Sequence, residues 1–339
     1  MEGKSINPIK VTLKGNKSIN HYTTGNRPGH CDYPIKGLPW QVADHPDCLF
    51  TTQQLTFLNN HLQLIEMSVV NEVTLELNIE KASVFMVIML EGFYRYYHHD
   101  LLNFYAMGGA MYMLYCPISS LELRVDGGKH SLIVIDIAKK QLGDIENTNT
   151  QLTELVKYQF ENQPDHFVLP MCRIDRQVFT LLAKLRTLKV DSFIREAEYA
   201  ILLANLLKEY SIKLTNNNII RSQLAPEIAN KIFVYIQQNY YQDNELSLTE
   251  ISAKMGLNKW KLQEYALLLF GKPLRDHIRD LRMRKVMVLL EETDKPIRTI
   301  AESVGYTTPS YFYRAFRLYF GLTPQQYRKI NRKKTDDQE

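Results

Sequence analysis

Between Pro226 and Arg332, apolar residues return every three or four positions, the period of helices that turn one face to a core. The stretch GYTTPSYFYRAFRLYFGLTP, Gly305 to Pro324, carries this pattern most openly. Thr308-Pro309 predicts a helix start, a hydroxyl cap followed by proline at the first helical position, where its missing N–H costs little. Phe312, Ala315, Phe316 and Tyr319 then share one helical stripe, and Ser310, Tyr313, Arg314 and Arg317 share the opposite one. One face packs. The other presents two cations, a hydroxyl and a phenol.

The same unit occurs twice. LTEISAKMGLNKWKLQEYALLLFG (248–271) and IRTIAESVGYTTPSYFYRAFRLYFG (297–321) each predict a short amphipathic helix with Ile251 or Ile300 turned inward. Each continues with a glycine able to end that helix, Gly256 or Gly305, then a turn and a longer helix closing on Phe-Gly. That is tandem helix-turn-helix architecture. Between the copies, RDHIRDLRMRKVMVLLEET reads as one helix, with Leu274, Ile278, Leu281, Val288 and Leu289 at helical spacing and arginines elsewhere.

The first two-thirds of the chain has the period of strands. From Gly37 to Ala138, β-branched and aromatic runs broken by Pro117 and Gly127-Gly128 predict antiparallel strands rolled into a small barrel or sandwich. The longest apolar run, Val84–Leu90, is a strand's length and far short of a membrane span. Three helical stretches follow over about 151–214, and the polar segment 215–225 reads as a linker. The organisation expected is α+β, with an effector-binding or dimerisation domain over 1–214 and an all-α domain over 226–332. The apolar faces of the last two helices (Phe179, Leu182, Leu185; Ile201, Leu202, Leu206) suit either dimerisation or packing on the strands.

Charge sharpens the division. Residues 226–334 hold 19 Lys and Arg against 11 Asp and Glu, a net of +8, whereas residues 1–225 carry a net of −1. A basic module on a neutral one points to a polyanion-binding part attached to something else. The N-terminal MEGKSINPIK has no apolar signal region. The four cysteines have irregular spacing without CxxC, which predicts reduced thiols and a cytoplasmic protein with no membrane partner.

The residues IAESVGYTTPSYFYRAFRLYFGLTPQQYR resemble the second motif and C-terminal tail of the AraC/XylS (arabinose-regulator) family of bacterial transcription regulators. Ile300, Ala301, Gly305, Tyr306, Phe312, Arg314, Ala315, Phe316, Gly321, Pro324, Tyr327 and Arg328 carry the likeness, and LRMRKVMVLLEETDKPIRTIA resembles the family's linker helix. The resemblance implies two recognition helices in successive major grooves of double-stranded DNA, about 34 Å apart. It implies base or phosphate contacts from Asn258, Lys259, Trp260, Lys261 and Gln263 in the first unit, and from Ser310, Tyr313, Arg314 and Arg317 in the second. Arg282 and Arg328 are expected at phosphates, with Arg284, Lys285 and Lys272 beside them. The resemblance also implies a cupin-like N-terminal barrel that binds a small-molecule effector, a possible homodimer, and RNA polymerase as partner if the protein is an activator. At the positions matching Arg314 and Arg317 the first unit has Glu264 and Leu267, a departure that predicts a weaker electrostatic grip there.

Candidate chemistry elsewhere is thin. A metal-binding cupin's first motif is approximated by Gly92, His98 and Asp100, but Asp100 stands where a second histidine belongs, and Phe104 or Tyr105 stands at the glutamate position. His30, Cys31, His45 and Cys48 have ligand chemistry in a spacing that matches no zinc module. No GxGxxG, P-loop or GxSxG occurs. The expectation is therefore no catalytic residues, no metal and no cofactor. The aromatic cluster that includes Tyr94, Tyr96, Tyr105 and Tyr112 suits an effector pocket as well as a plain core. Two alternatives to an effector-responsive regulator stay open: a cupin-type metal enzyme fused to a DNA-targeting module, and a regulator whose N-terminal domain binds a protein. Tightly bound metal would mark the first, and lack of thermal stabilisation by any small molecule would mark the second.

Overall fold

Alternating side chains build the N-terminal part of the protein as two facing sheets. The computed structural model describes residues 9–14, 20–98, 101–143, 149–188, 194–216, 226–241, 246–270 and 272–329. They fall into two compact units, Met1–Ile220 and Arg221–Glu339.

The strands of the first unit are β1 (Ile9–Leu13), β2 (Asn20–Thr24), β3 (Trp40–His45), β4 (Cys48–Phe57), β5 (Asn60–Val69), β6 (Val73–Ile79), β7 (Ser83–Glu91), β8 (Phe93–His98), β9 (Leu101–Met107), β10 (Ala110–Cys116), β11 (Ser119–Val125) and β12 (Gly128–Ile137). Helices α1 (Lys139–Gly143) and α2 (Thr150–Glu161) follow, then two-residue strands β13 (Phe167–Val168) and β14 (Cys172–Arg173), then α3 (Arg176–Thr187) and α4 (Arg195–Thr215). One sheet runs β1-β6-β11-β8-β9. The other runs β13-β10-β7-β12-β5-β4-β3-β2, with β14 also on β10. All the pairings are antiparallel.

The larger sheet is covered on both faces, which is why its central strands read as unbroken apolar runs. On β7, Val84, Met86, Ile88 and Leu90 join the core that includes Leu152, Val178 and Leu206 from the helices. Phe85 and Val87 point the other way, toward the smaller sheet, as do Leu132 and Val134 of β12. The layers are thus sheet, sheet, helices.

Of the barrel or sandwich expected, the described residues form two facing sheets and no closed barrel. Among the described residues the two sheets stay open, ending at β1 and β9 in one and at β2 and β13 in the other. Alternation decides which face a side chain takes; it does not decide whether the last strand meets the first. Strands β1 and β2 also lie before Gly37, where none was expected. Most of the linker, 217–225, lies outside the described residues.

The second unit is helical: α5 (Pro226–Asn239), α6 (Leu248–Met255), α7 (Lys259–Phe270), α8 (Leu274–Glu292), α9 (Ile297–Ser303) and α10 (Pro309–Phe320). Ser247 and Glu250 form a capping box at the start of α6, and Gly256 ends that helix in the left-handed region (φ 66°). His277 of α8 stacks on Phe270 of α7 with ring centroids 3.8 Å apart and an 8° interplanar angle. Burial, then the nearby Arg284 charge, pushes its pKa well down, so the ring packs neutral.

Gly305 has a stricter task. It sits at φ +81°, and a Cβ there would lie 2.6 Å from the Tyr241 carbonyl oxygen and 2.9 Å from the Arg282 guanidinium. Only glycine meets both conditions. The turn can then drop Tyr306 into the core with Ile300, Phe312 and Phe316.

Candidate nucleic-acid interface

Helix α10 is amphipathic in the expected register. Phe312, Ala315 and Phe316 are buried, while Ser310, Arg314 and Arg317 are exposed. Neither arginine has a hydrogen-bond or ion-pair partner among the described residues, so both guanidinium forks remain available. Tyr313 is half-buried and its hydroxyl accepts from Gln325 Nε2 at 2.6 Å, which narrows the polar face. Thr308 makes no side-chain cap bond, contrary to expectation, and Pro309 alone sets the start. Leu318, 79% exposed, and Tyr311, 50% exposed, flank the arginines and were not singled out in the sequence.

Helix α7 presents different chemistry. Asn258 caps it, its Oδ1 accepting from the Lys261 amide at 2.7 Å, so this oxygen is committed to the helix. Lys259 is exposed and Trp260 is 72% exposed, an unusual state for so large an aromatic. Lys261 donates to the Glu264 carboxylate at 3.0 Å, and that hydrogen bond raises the ammonium's pKa. Glu264 therefore meets a cation of its own helix. Leu267 is 47% exposed. Gln263 is half-buried at the edge of a cleft.

Two residues expected at phosphates bond backbone carbonyls within the unit. Arg282 donates from Nε to the Tyr240 carbonyl at 2.6 Å and from Nη1 to the Gly305 carbonyl at 3.0 Å, with its guanidinium 5.5 Å from the Tyr306 ring centroid. It ties the end of α5 to α8 and to the α9–α10 turn. Arg328 donates to the Lys295 carbonyl at 2.7 Å and anchors the C-terminal turn. Lys272 is paired with Asp280 at 2.5 Å.

The exposed cations of α8 are Arg275 and Arg279, which sequence reasoning passed over. They line a cleft of about 850 Å³ with Gln263 of α7 and Tyr311 of α10. Arg275 reaches the Tyr311 hydroxyl at 3.5 Å, and Arg279 pairs with Asp276 at 2.9 Å. Their spacing of four on one helix face was the signal available.

Comparison with known proteins addresses the same helices. Residues 251–330 match the family model for a helix-turn-helix domain. The melibiose operon regulatory protein of Escherichia coli K12 is 31% identical over 124 residues, which are 35% of this chain and 39% of that relative. The multiple antibiotic resistance protein MarA of Escherichia coli K12 is 32% identical over 100 residues, covering 30% of this chain and 77% of the relative. This chain belongs to the AraC/XylS family. Among solved structures, the C-terminal domain of the response regulator yesN from Fusobacterium nucleatum is 32% identical, covering 30% of this chain and 98% of that one, with a TM-score of 0.29.

In this AraC/XylS-family chain the first unit lies outside the helix-turn-helix match. Of its four tyrosines expected at an effector, Tyr94 and Tyr96 line a cavity between the sheets. Tyr112 does not; its hydroxyl meets that of Tyr96 at 3.0 Å. Tyr105 stacks on Phe93 at 5.4 Å and is buried in the core. His30 and Cys31 meet Thr51, at 3.1 Å from the hydroxyl in each case, while His45 accepts from the Asp47 amide at 3.1 Å. Among the described residues no three His, Cys, Asp or Glu side chains converge on a metal-sized site. His99 and Asp100 lie outside the described residues. No described helix is long and apolar enough to cross a membrane.

Proposed function

We propose that the chain is a one-component transcription regulator whose second unit binds double-stranded DNA. Helix α10 enters one major groove with Arg314 and Arg317 toward base edges or phosphates, and α7 enters the next with Lys259, Trp260 and Gln263. The observation that carries this reading is the exposed pair Arg314 and Arg317, without a partner among the described residues, on a helix whose other face buries Phe312, Ala315 and Phe316. Arg275 and Arg279 supply phosphate contacts from the cleft between the two helices, in place of Arg282 and Arg328. Selection from random duplexes tests the reading: the full chain should enrich a bipartite site, and enrichment of no sequence would refute it.

The first unit, residues 1–220, is the regulatory domain in this reading. The cavity between its two sheets supports a small-molecule effector site, taking the role assigned to a cupin-like barrel. Ile194, Ile201 and Ile212 are exposed along one stripe of α4 and its N-cap, which supports a homodimer through a second copy of that helix. Effector binding shifts the population of chains able to engage both half-sites, and RNA polymerase is the further partner where the regulator activates. Sedimentation of wild type and Ile201→Glu tests the dimer; a wild-type monomer at all concentrations would sink it.

A further inference from the structure

The cavity between the sheets has a chemistry narrow enough to name its ligand class. Nineteen residues line it, from both sheets, and fifteen of them are Ile, Val, Leu, Met or Phe. The other four are Gln63, Tyr94, Tyr96 and Cys116, and no Lys, Arg, His, Asp or Glu is among them. Tyr96 spends its hydroxyl on Tyr112. The Tyr94 hydroxyl is buried with no hydrogen-bond partner among the described residues, on a side chain with no exposed surface. Buried polar groups are normally satisfied, so this orphan is the one feature of the wall that asks for something. The space measures about 60 Å³. An engineered apolar cavity that admits benzene is larger, roughly 150 Å³.

We infer that the effector is an uncharged, mainly apolar molecule smaller than benzene, with a single hydrogen-bonding group held by the Tyr94 hydroxyl and Gln63. A carboxylate or ammonium would enter with no counter-charge in the wall, and a sugar would leave most of its hydroxyls unpaired; both are costly in an apolar site. A short alcohol or aldehyde satisfies the orphan and fills the remainder with methylenes. This inference deepens the effector reading and rests on it.

Methyl-labelled full-length protein is titrated with 1-propanol, propionate, glycerol and xenon, reading the methyl signals of Met67, Leu123 and Leu132. Saturable propanol shifts are expected, with propionate and glycerol at least about tenfold weaker. Tyr94→Phe should weaken propanol roughly tenfold, the factor for one ordinary hydrogen bond, and leave xenon unchanged. Gln63→Met provides a second variant should Tyr94→Phe fold poorly, with the same expected split. Absence of saturable propanol binding, equal binding of propionate, or equal losses for propanol and xenon in the variants would overturn the inference. DNA affinity with and without bound propanol separates the two readings. Binding without any change in DNA affinity refutes regulation from this cavity and leaves its ligand chemistry standing. A charged or polyhydroxylated molecule that shifts both the cavity methyls and DNA affinity upholds regulation and refutes the ligand class.

Discussion

Replacing Arg282 separates a structural strut from a DNA contact, because the two roles move different measurements. Its guanidinium makes charge-assisted bonds to the carbonyls of Tyr240 and Gly305 and lies over Tyr306. Hydrogen bonds to charged groups contribute about 1.5–3 kcal/mol each. The side chain is half-buried, so water recovers part of that in the truncated protein. Arg282→Ala should therefore destabilise the second unit by about 2–4 kcal/mol. Arg282→Lys keeps the charge but cannot reach both carbonyls with one ammonium, and should lose about half as much. Urea unfolding followed by amide hydrogen exchange in α8 and α9 reads the first quantity. The slope of log DNA affinity against log salt reads the second, and a lost phosphate contact would flatten it by about 0.9. Lower stability and an unchanged slope are expected under conditions where the variant stays folded. Unchanged exchange with a flattened slope would refute this and return Arg282 to the DNA surface.

Other expectations follow from neighbouring geometry. Arg314→Ala should weaken specific DNA binding by about 1–3 kcal/mol, measured by titration of a selected duplex, with thermal unfolding unmoved; unfolding instead would mean the helix register is wrong. Arg275→Gln with Arg279→Gln should flatten the salt plot by nearly two units, and an unchanged slope would turn the cleft away from DNA. Gly305→Ala should destabilise the second unit by more than about 1 kcal/mol, since it adds both positive-φ strain and contact with the Tyr241 carbonyl; a neutral result would contradict the described turn. Burial raises the Glu66 carboxyl pKa from its ordinary 4.5 to about 7, against the pull of the Asp32 and Tyr33 amides that bond it. The folded chain thus binds this proton more tightly than the unfolded one, and the stability it contributes is present below pH 4.5 and lost as pH rises through about 7. Wild type compared with Glu66→Gln should show that difference in denaturant midpoints between pH 5 and 8, and parallel pH profiles would refute it.

The tandem helical units were legible because their signals are local. Gly256, Gly305, Pro309 and the Phe-Gly endings punctuate the chain, and Ile251, Ile300, Phe312 and Phe316 sit at helical spacing, so the register of α10 follows directly. Spacing along one helix says nothing about which neighbour covers a face, so the bonds of Arg282 and Arg328 to the carbonyls of Tyr240, Gly305 and Lys295 were not legible. Asn258, expected at a base or phosphate, stands ahead of α7, where its Oδ1 caps the helix. In the first unit, alternation on β7 and β12 gave strands but could not separate a closed barrel from two open sheets. Tyr94, Tyr96, Tyr105 and Tyr112 look alike in sequence, and only pairing across β8, β9 and β10 distinguishes the orphan hydroxyl from the satisfied and stacked ones.

In the proposed binding mode α7 and α10 of one chain each occupy a major groove, one helical turn apart. Guanine-N7 methylation protection of a selected duplex by the full-length protein tests it most directly. Two protected windows about 10 base pairs apart on one face of the duplex are expected, with Arg314→Ala erasing one and leaving the other. A single window, or loss of both with that one substitution at protein concentrations that saturate the duplex, would contradict it.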